Sequence, residues 1–352
     1  RGTALGVWGA LAGLGATVGV LLSGILTELA DWRWLFVINL PPAAVAVLLV
    51  PRLVARDRAR NSGRRLDLPG AVLVTAGAAG VVGGLVSAAD HSWTSTRVLA
   101  PLLIGSAALA AFVAVESRSG DPLVPLRFFA NRTRVAANVA SVFLIGVMAA
   151  MFLLLTFYMQ FVLGWSALQT GLAYVPFCVV FVGGIGAAVP LMSRLGVRTT
   201  LWLAYAVAAV GMLLLTRIPV DGTYTSALLP ALILLAVGLG MAFPGLQTAA
   251  LSGVTENDAG LGAGVQIAVQ ALSNALGIAV FLAVAVQSAV SGSGSQAEVL
   301  TAGYQQAFGV AVVSLLIGGV IVGFVRVPRA QRRVPAHSTI ASQAVSTSCV
   351  EE

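Results

Sequence analysis

Long apolar runs, each near the length needed to cross a bilayer, alternate with short polar connections along most of the chain. A hydrocarbon core of about 30 Å calls for about 20 apolar helical residues. Ten such runs occur, at 4–27, 34–50, 68–88, 98–115, 135–162, 169–192, 199–218, 228–252, 263–290 and 306–325. Backbone amides in lipid must find partners inside the protein, so a spanning segment is a helix or part of a closed barrel. Barrel strands read as short alternating segments. These runs are continuous, which predicts an all-α integral membrane protein of about ten spans. The segment after Val325 is rich in Ser, Ala and Arg and is expected to be a disordered tail.

Composition removes the soluble classes. Of 352 residues, 58% are hydrophobic and 9% charged, with a mean hydropathy of +0.96. A soluble domain carries roughly 25% charged residues, and so sparse a set cannot give a globule a polar skin. Two cysteines, Cys178 and Cys349, make no disulfide framework and no metal-ligand spacing. His91 and His337 stand in polar segments away from one another. The chain opens on Arg1 with apolar sequence directly behind it and no secretory leader pattern. It reads as the continuation of a longer protein.

All twenty basic residues are arginine, and the formal charge is +7. Counting connections alternately, one side of the membrane receives Arg1, Arg52, Arg56, Arg58, Arg60, Arg64, Arg65, Arg118, Arg127, Arg132, Arg134, Arg194, Arg198, Arg326, Arg329, Arg332 and Arg333. The other side receives Arg33, Arg97 and Arg217. Such a bias places the arginine-rich side in the cytoplasm. The positive charge is therefore read as topology and not as nucleic-acid binding. Trp32, Trp34, Trp93 and Trp165 fall at predicted outer span ends, where amphipathic rings favour the interface.

Glycines recur at helical spacing. Gly2, Gly6, Gly9 and Gly13 share one face of the first run, and Gly77, Gly80 and Gly84 repeat the device. Gly260 and Gly264 do so further on. Small residues let helix backbones approach closely where lipid supplies no hydrophobic drive. The faces serve either static packing or sliding between bundles that rock.

These residues also carry a resemblance. Gly15-Ala-Thr-Val-Gly19-Val-Leu-Leu-Ser-Gly24 is similar to the antiporter signature in the fifth span of the major facilitator superfamily, with Val20 and Ser23 departing from the usual Pro and Gly. Trp32-Arg33-Trp34-Leu35-Phe36-Val37-Ile38-Asn39-Leu40-Pro41 resembles the opening of the sixth span in the fourteen-span drug:proton antiporters. The stretch from Pro122 to Arg132 resembles the loop before that family's second bundle, and Gln160-Phe-Val-Leu-Gly164-Trp-Ser166 the outer end of the bundle's first span. Leu191-Met-Ser-Arg194-Leu-Gly196-Val-Arg198 looks like a second copy of the cytoplasmic loop motif, with Ser193 where Asp is usual. Gly253-Val-Thr-Glu256-Asn-Asp258-Ala-Gly260 resembles the loop before the thirteenth span.

The resemblance implies a major-facilitator fold in which the ten runs are family spans five to fourteen. Residues 1–50 would then be the last two spans of the first bundle, and 51–134 a basic loop with two linking spans. Residues 135–325 would be the second six-span bundle, and 326–352 the cytoplasmic tail. It further implies a monomeric, multi-pass transporter of the bacterial plasma membrane, with lipid bilayer, proton and a small amphiphilic substrate as partners. No cofactor is expected, the energy source being the proton gradient. The chain is expected to be inactive without four earlier spans.

A proton carrier inside the membrane is expensive, about 2.5–3.5 kcal/mol or more for a carboxylate, and so marks function. All thirteen acids are predicted in loops, tails or span ends. What remains within the spans is polar and neutral. Gln266, Gln270 and Asn274 are spaced by four and share a face. They serve either interhelical hydrogen bonds or a substrate cavity, and three amides on one face favour the cavity. Asn138, Tyr158 and Gln160 are further cavity candidates, with Tyr158 alternatively an interfacial anchor. Phe152, Phe157, Phe177 and Phe181 are packing residues or the walls of an apolar pocket. Gly15, Gly19 and Gly24 are the candidate antiporter-motif packing positions. Arg194, Gly196, Arg198, Glu256 and Asp258 are candidate cytoplasmic gate residues, read otherwise as topology or helix capping.

No nucleophile, base or metal cluster that would make an enzyme is legible, nor a channel filter. Two readings remain: proton-coupled efflux of amphiphilic drugs or antibiotics, and a carrier of the same superfamily for another solute.

Overall fold

A computed structural model describes residues 15, 19, 22–29, 31, 33–53, 67–88, 90–119, 124, 126–255, 258–290 and 294–326. Among these residues there is no strand, and nine helices are long and apolar enough to cross a membrane. They are α1 (Trp34–Leu53), α2 (Leu68–Ser87), α3 (Thr96–Glu116), α4 (Arg132–Val162), α5 (Ala167–Leu195), α6 (Val197–Leu215), α7 (Tyr224–Ala250), α8 (Ala259–Val290) and α9 (Gln296–Val322). The first expected span lies mostly outside the described residues, although 22–29 are helical. The tail beyond Arg326 also lies outside them.

Local sequence fixes where these helices start. The Asn131 side chain accepts hydrogen bonds from the Thr133 and Arg134 amides and caps α4. Ser166 with Gln169 opens α5, and Ser295 with Glu298 opens α9, each as a reciprocal capping box. The second box accounts for a difference from the hydropathy pattern. Hydropathy starts the last span at 306, but the polar turns 296–305 continue the same helix, because capping satisfies their free amides. Helix α8, at 32 residues, runs about 48 Å and overshoots the bilayer core. Between α5 and α6, Gly196 at φ +89° makes a turn that an L side chain rarely adopts.

Spans α4 to α9 pack on one another. α4 contacts α7, α8 and α9, while α7 also contacts α5 and α6, and α9 closes against α6 and α8. Lipid offers no hydrophobic gain for association, so close packing carries these contacts. Where α4 crosses α8, a Cβ on Gly277 would collide with the Gly146 backbone, and one on Gly146 would lie 3.1 Å from the Ser273 carbonyl. Tyr205 reaches across from α6 to donate to the Ala140 carbonyl at 2.8 Å, and Gln305 on α9 donates to the Ile218 carbonyl at 2.7 Å.

Helices α2 and α3 form a hairpin. A Cβ on Gly80 would lie 2.9 Å from the Gly105 Cα, and one on Gly105 would lie 2.6 Å from the Val81 amide. The glycine face read from Gly77, Gly80 and Gly84 is thus a helix contact. The hairpin docks on α8, where Ala88 and Val98 pack on Ala283 and the Gln287 amide accepts from Trp93 Nε1 at 2.8 Å while donating to the Ala88 carbonyl at 2.9 Å. None of the α1 residues is buried among the described residues.

Candidate functional site

The helix at 22–29 meets the first turn of α5. Gly24 is buried, and a Cβ there would lie 3.0 Å from the Ala167 carbonyl at the start of α5. Gly15 and Gly19 have nothing within 4 Å of such a Cβ. Glu28 completes the junction: its carboxylate accepts from the Ser166 hydroxyl at 2.7 Å and from the Leu168 amide at 2.8 Å. These two bonds, the Ser166 hydroxyl first, hold the Glu28 carboxyl below its ordinary range.

Beside this junction is a cavity of about 330 Å³ between the 19–27 segment and spans α4 and α5. Its walls carry Ser23, Thr27, Thr156, Gln160, Thr170 and Tyr174, with Phe152 and small residues between them. That size and that mix of aromatic faces with a few neutral donors and acceptors suit a small molecule. The hydroxyls are ordered by the helices around them: Tyr174 donates to the Phe152 carbonyl at 2.9 Å and stands 3.1 Å from Thr156 Oγ1. From the cavity a row of rings runs along α5, with Phe152 4.9 Å from Tyr174 and 5.1 Å from Phe177, and Phe177 5.9 Å from Phe181. Phe157 is apart from this row, paired with Phe161 at 5.4 Å and facing α8 and α9.

The other polar candidates are placed differently. Of Asn138, Tyr158 and Gln160, only Gln160 lines this cavity. Tyr158 is buried, and its hydroxyl donates to the Pro219 carbonyl. Asn138 is buried near the arginine-rich end, its amide donating to the Arg134 carbonyl at 2.9 Å. Gln266 is 5% exposed, Gln270 is half-buried and Asn274 is exposed. Gln266 and Gln270 share the face of α8 that carries Ser273 and Gly277 against α4, with Asn274 rotated outward.

A second polar group gathers at the end opposite the junction. Arg134 is buried, donates to the Phe128 and Ser252 carbonyls at 2.6 and 3.0 Å, and stacks 4.0 Å over the Phe128 ring. Asn138 stands one turn above Arg134. Gln266 stands one turn above Gly262, which faces Leu251 and Val254. Arg134 Nε, Asn138 Oδ1, Ser252 Oγ and Gln266 Oε1 are buried without a hydrogen-bond partner among the described residues. Buried polar atoms of this kind are ordinarily satisfied by water or ligand.

Among the gate candidates, Arg194 is exposed in the last turn of α5, and Arg198 stacks 4.5 Å over Trp202. Neither makes an ion pair among the described residues. Asp258 accepts from Thr255 Oγ1 at 2.9 Å just ahead of α8. Glu256 lies outside the described residues.

Three features are hidden from the sequence pattern. Glu28 looks like an ordinary span-end acid; the Ser-x-x-Gln spacing at Ser166 is the available signal for the helix start it binds. The hydroxyls of Thr156, Thr170 and Tyr174 give no pattern, because they come from two helices. Glu116, at the end of α3, is buried and accepts from the Val124 amide at 2.9 Å.

The Major Facilitator Superfamily model matches residues 1–278. The chain is 39% identical over 287 residues to the puromycin resistance protein pur8 of Streptomyces alboniger, covering 79% of this chain and 56% of that protein. It is 36% identical over 276 residues to the lincomycin resistance protein of Streptomyces lincolnensis, covering 78% and 56%. It is 36% identical over 321 residues to the cephamycin export protein CmcT of Amycolatopsis lactamdurans, covering 90% and 65%. The chain therefore spans less than two thirds of the length of these relatives. With nine apolar helices among the described residues and this match over most of its length, the chain is a multi-pass plasma-membrane protein and belongs to the major facilitator superfamily.

Proposed function

We propose that the protein containing this chain exports small amphiphilic compounds, of the kinds named for its relatives (puromycin, lincomycin and cephamycin), in exchange for protons. The observation that carries the reading is the 330 Å³ cavity between the antiporter-like helix and spans α4 and α5, walled by Phe152, Tyr174 and neutral hydroxyls. Neutral donors and aromatic faces accept varied apolar molecules without fixing one. In this reading the chain supplies family spans five to fourteen. Residues 135–325 rock as one bundle against a first bundle that includes 1–50, and the arginine-rich side faces the cytoplasm. The proton-carrying group comes from four earlier spans, so the chain alone does not export. No catalytic step is assigned, and the protein works as a monomer.

The full-length protein, expressed in a drug-sensitive bacterial host, is the test. Phe152→Ala takes away ring pairings worth about 0.5–1.5 kcal/mol each and is expected to cut export by about two- to tenfold for every pairing that the substrate makes with this ring. Leu213→Ala, on an exposed face of α6, leaves export unchanged. Substrate-dependent proton release from the same protein in vesicles separates antiport from a carrier for another solute. Export insensitive to Phe152→Ala would remove the cavity from the path.

A further inference from the structure

At the arginine-rich end of the second bundle, the starts of α4 and α6 and the end of α9 enclose a cavity of about 600 Å³. Arg132, Arg198 and Arg326 line it, from three segments far apart in sequence. The rest of the wall is mainly apolar, with Val135, Val139, Ile321 and Phe324. None of the lining residues is acidic.

Two of the three arginines sit on segments tied to their neighbours. Arg326 donates its amide to Thr133 Oγ1 at 3.1 Å, which ties the end of α9 to the first turn of α4. Arg198 stacks over Trp202, and Trp202 Nε1 donates to the Gly319 carbonyl of α9 at 2.9 Å. All three arginine side chains are exposed, and none makes an ion pair among the described residues. Topology explains why arginine is on this side of the membrane. It does not explain why three converge on one apolar trough.

Guanidinium groups bind phosphate oxygens through charge-assisted, often bidentate hydrogen bonds. A free phosphate would use those groups and leave the trough uncovered. A phosphate ester carrying acyl chains would fill both parts. The apolar wall also continues onto the exposed end of α9, where Val320 is 70% exposed and Phe324, two residues past the helix, 66%. We propose that this cavity binds an anionic glycerophospholipid from the leaflet on the arginine-rich side. The site is independent of the export reading, and no residue of the outer cavity takes part.

The chain is purified in detergent with equimolar phosphatidylglycerol and phosphatidylcholine of the same acyl composition, and retained lipid is read by native mass spectrometry. Each arginine near a membrane surface contributes roughly fivefold in affinity for anionic lipid. Phosphatidylglycerol is therefore expected to be retained over phosphatidylcholine, and the Arg132→Gln/Arg198→Gln/Arg326→Gln variant to lose it by on the order of a hundredfold. Val139→Trp fills the trough, leaves every charge in place and is expected to release the lipid too. This second variant decides the matter if the triple variant does not fold. Equal retention of the two lipids, or retention unchanged in both variants, overturns the proposal. So does complete displacement of the lipid by millimolar inorganic phosphate, which would make the site one for a free anion.

Discussion

The carboxylate of Glu28 and the hydroxyl of Ser166 stand 2.7 Å apart and join the helix at 22–29 to the first turn of α5. Ser166 gives its proton to Glu28 and accepts from the Gln169 amide at 3.3 Å, so one hydroxyl serves both the cap and the junction. On the export reading proposed above, a polar tie of this sort would belong to the state closed at that end and break when the end opens.

The junction is expected to be acid-labile. Hydrogen bonding holds the Glu28 carboxyl below its ordinary value of 4.5, so the contact is fully present above 4.5 and is lost as pH falls through the lowered value. Spin labels at the exposed Leu29 and Leu172 report it. The distance distribution is expected to be narrow at neutral pH and to broaden in acid, while Glu28→Ala is broad at every pH. A distribution that responds to neither change would mean the contact does not hold the two helices.

The crossing of α4 and α8 tolerates no side chain at its tightest point. Gly277→Ala drives a methyl into the Gly146 backbone and is expected to cost about 1–3 kcal/mol. Gly309→Ala on α9, where a Cβ has nothing within 4 Å, is expected to stabilise by about 0.5–1 kcal/mol. Thermal unfolding in detergent compares the two, and equal shifts would show that the crossing is looser than its geometry.

Gln287 ties the α2–α3 hairpin to α8. Gln287→Leu removes the bonds to Trp93 Nε1 and to the Ala88 carbonyl, each worth about 0.5–1.5 kcal/mol. Amide exchange in residues 90–95 is expected to accelerate while exchange in α4 stays unchanged. Uniform acceleration would point to a global effect rather than undocking of the hairpin.

Gln266 separates packing from function. Its Oε1 is buried without a partner among the described residues, so Gln266→Leu is expected to be neutral or stabilising by up to about 1–3 kcal/mol. If the amide serves the transport path, the same variant of the full-length protein exports less. A variant that is more stable and fully active would leave Gln266 with no part in transport.

The spans were legible because lipid imposes one rule on every backbone amide. Nine of the ten expected runs fall on the nine membrane-length helices, and residues 22–29 of the tenth are helical. Span ends were less legible where capping outweighed hydropathy, as at Ser295, and where a helix ran past the bilayer, as in α8. The candidate site was only partly legible. Gln266, Gln270 and Asn274 share a helix face by spacing, but their burial falls from inside to exposed along it. Spacing sets an angle around one helix and says nothing about how far a neighbour extends over it.

The sequence by itself determined that this chain belongs in a membrane and where nine of its membrane-length helices run, since lipid requires every backbone amide to find its partner inside the protein. Only the tertiary structure decided that Glu28 meets Ser166, that Tyr174 and Thr156 share a cavity with Ser23, and that Arg132, Arg198 and Arg326 surround one trough. Those meetings join residues tens to hundreds of positions apart. They depend on helix crossings set by where glycines admit a backbone, which no single segment encodes.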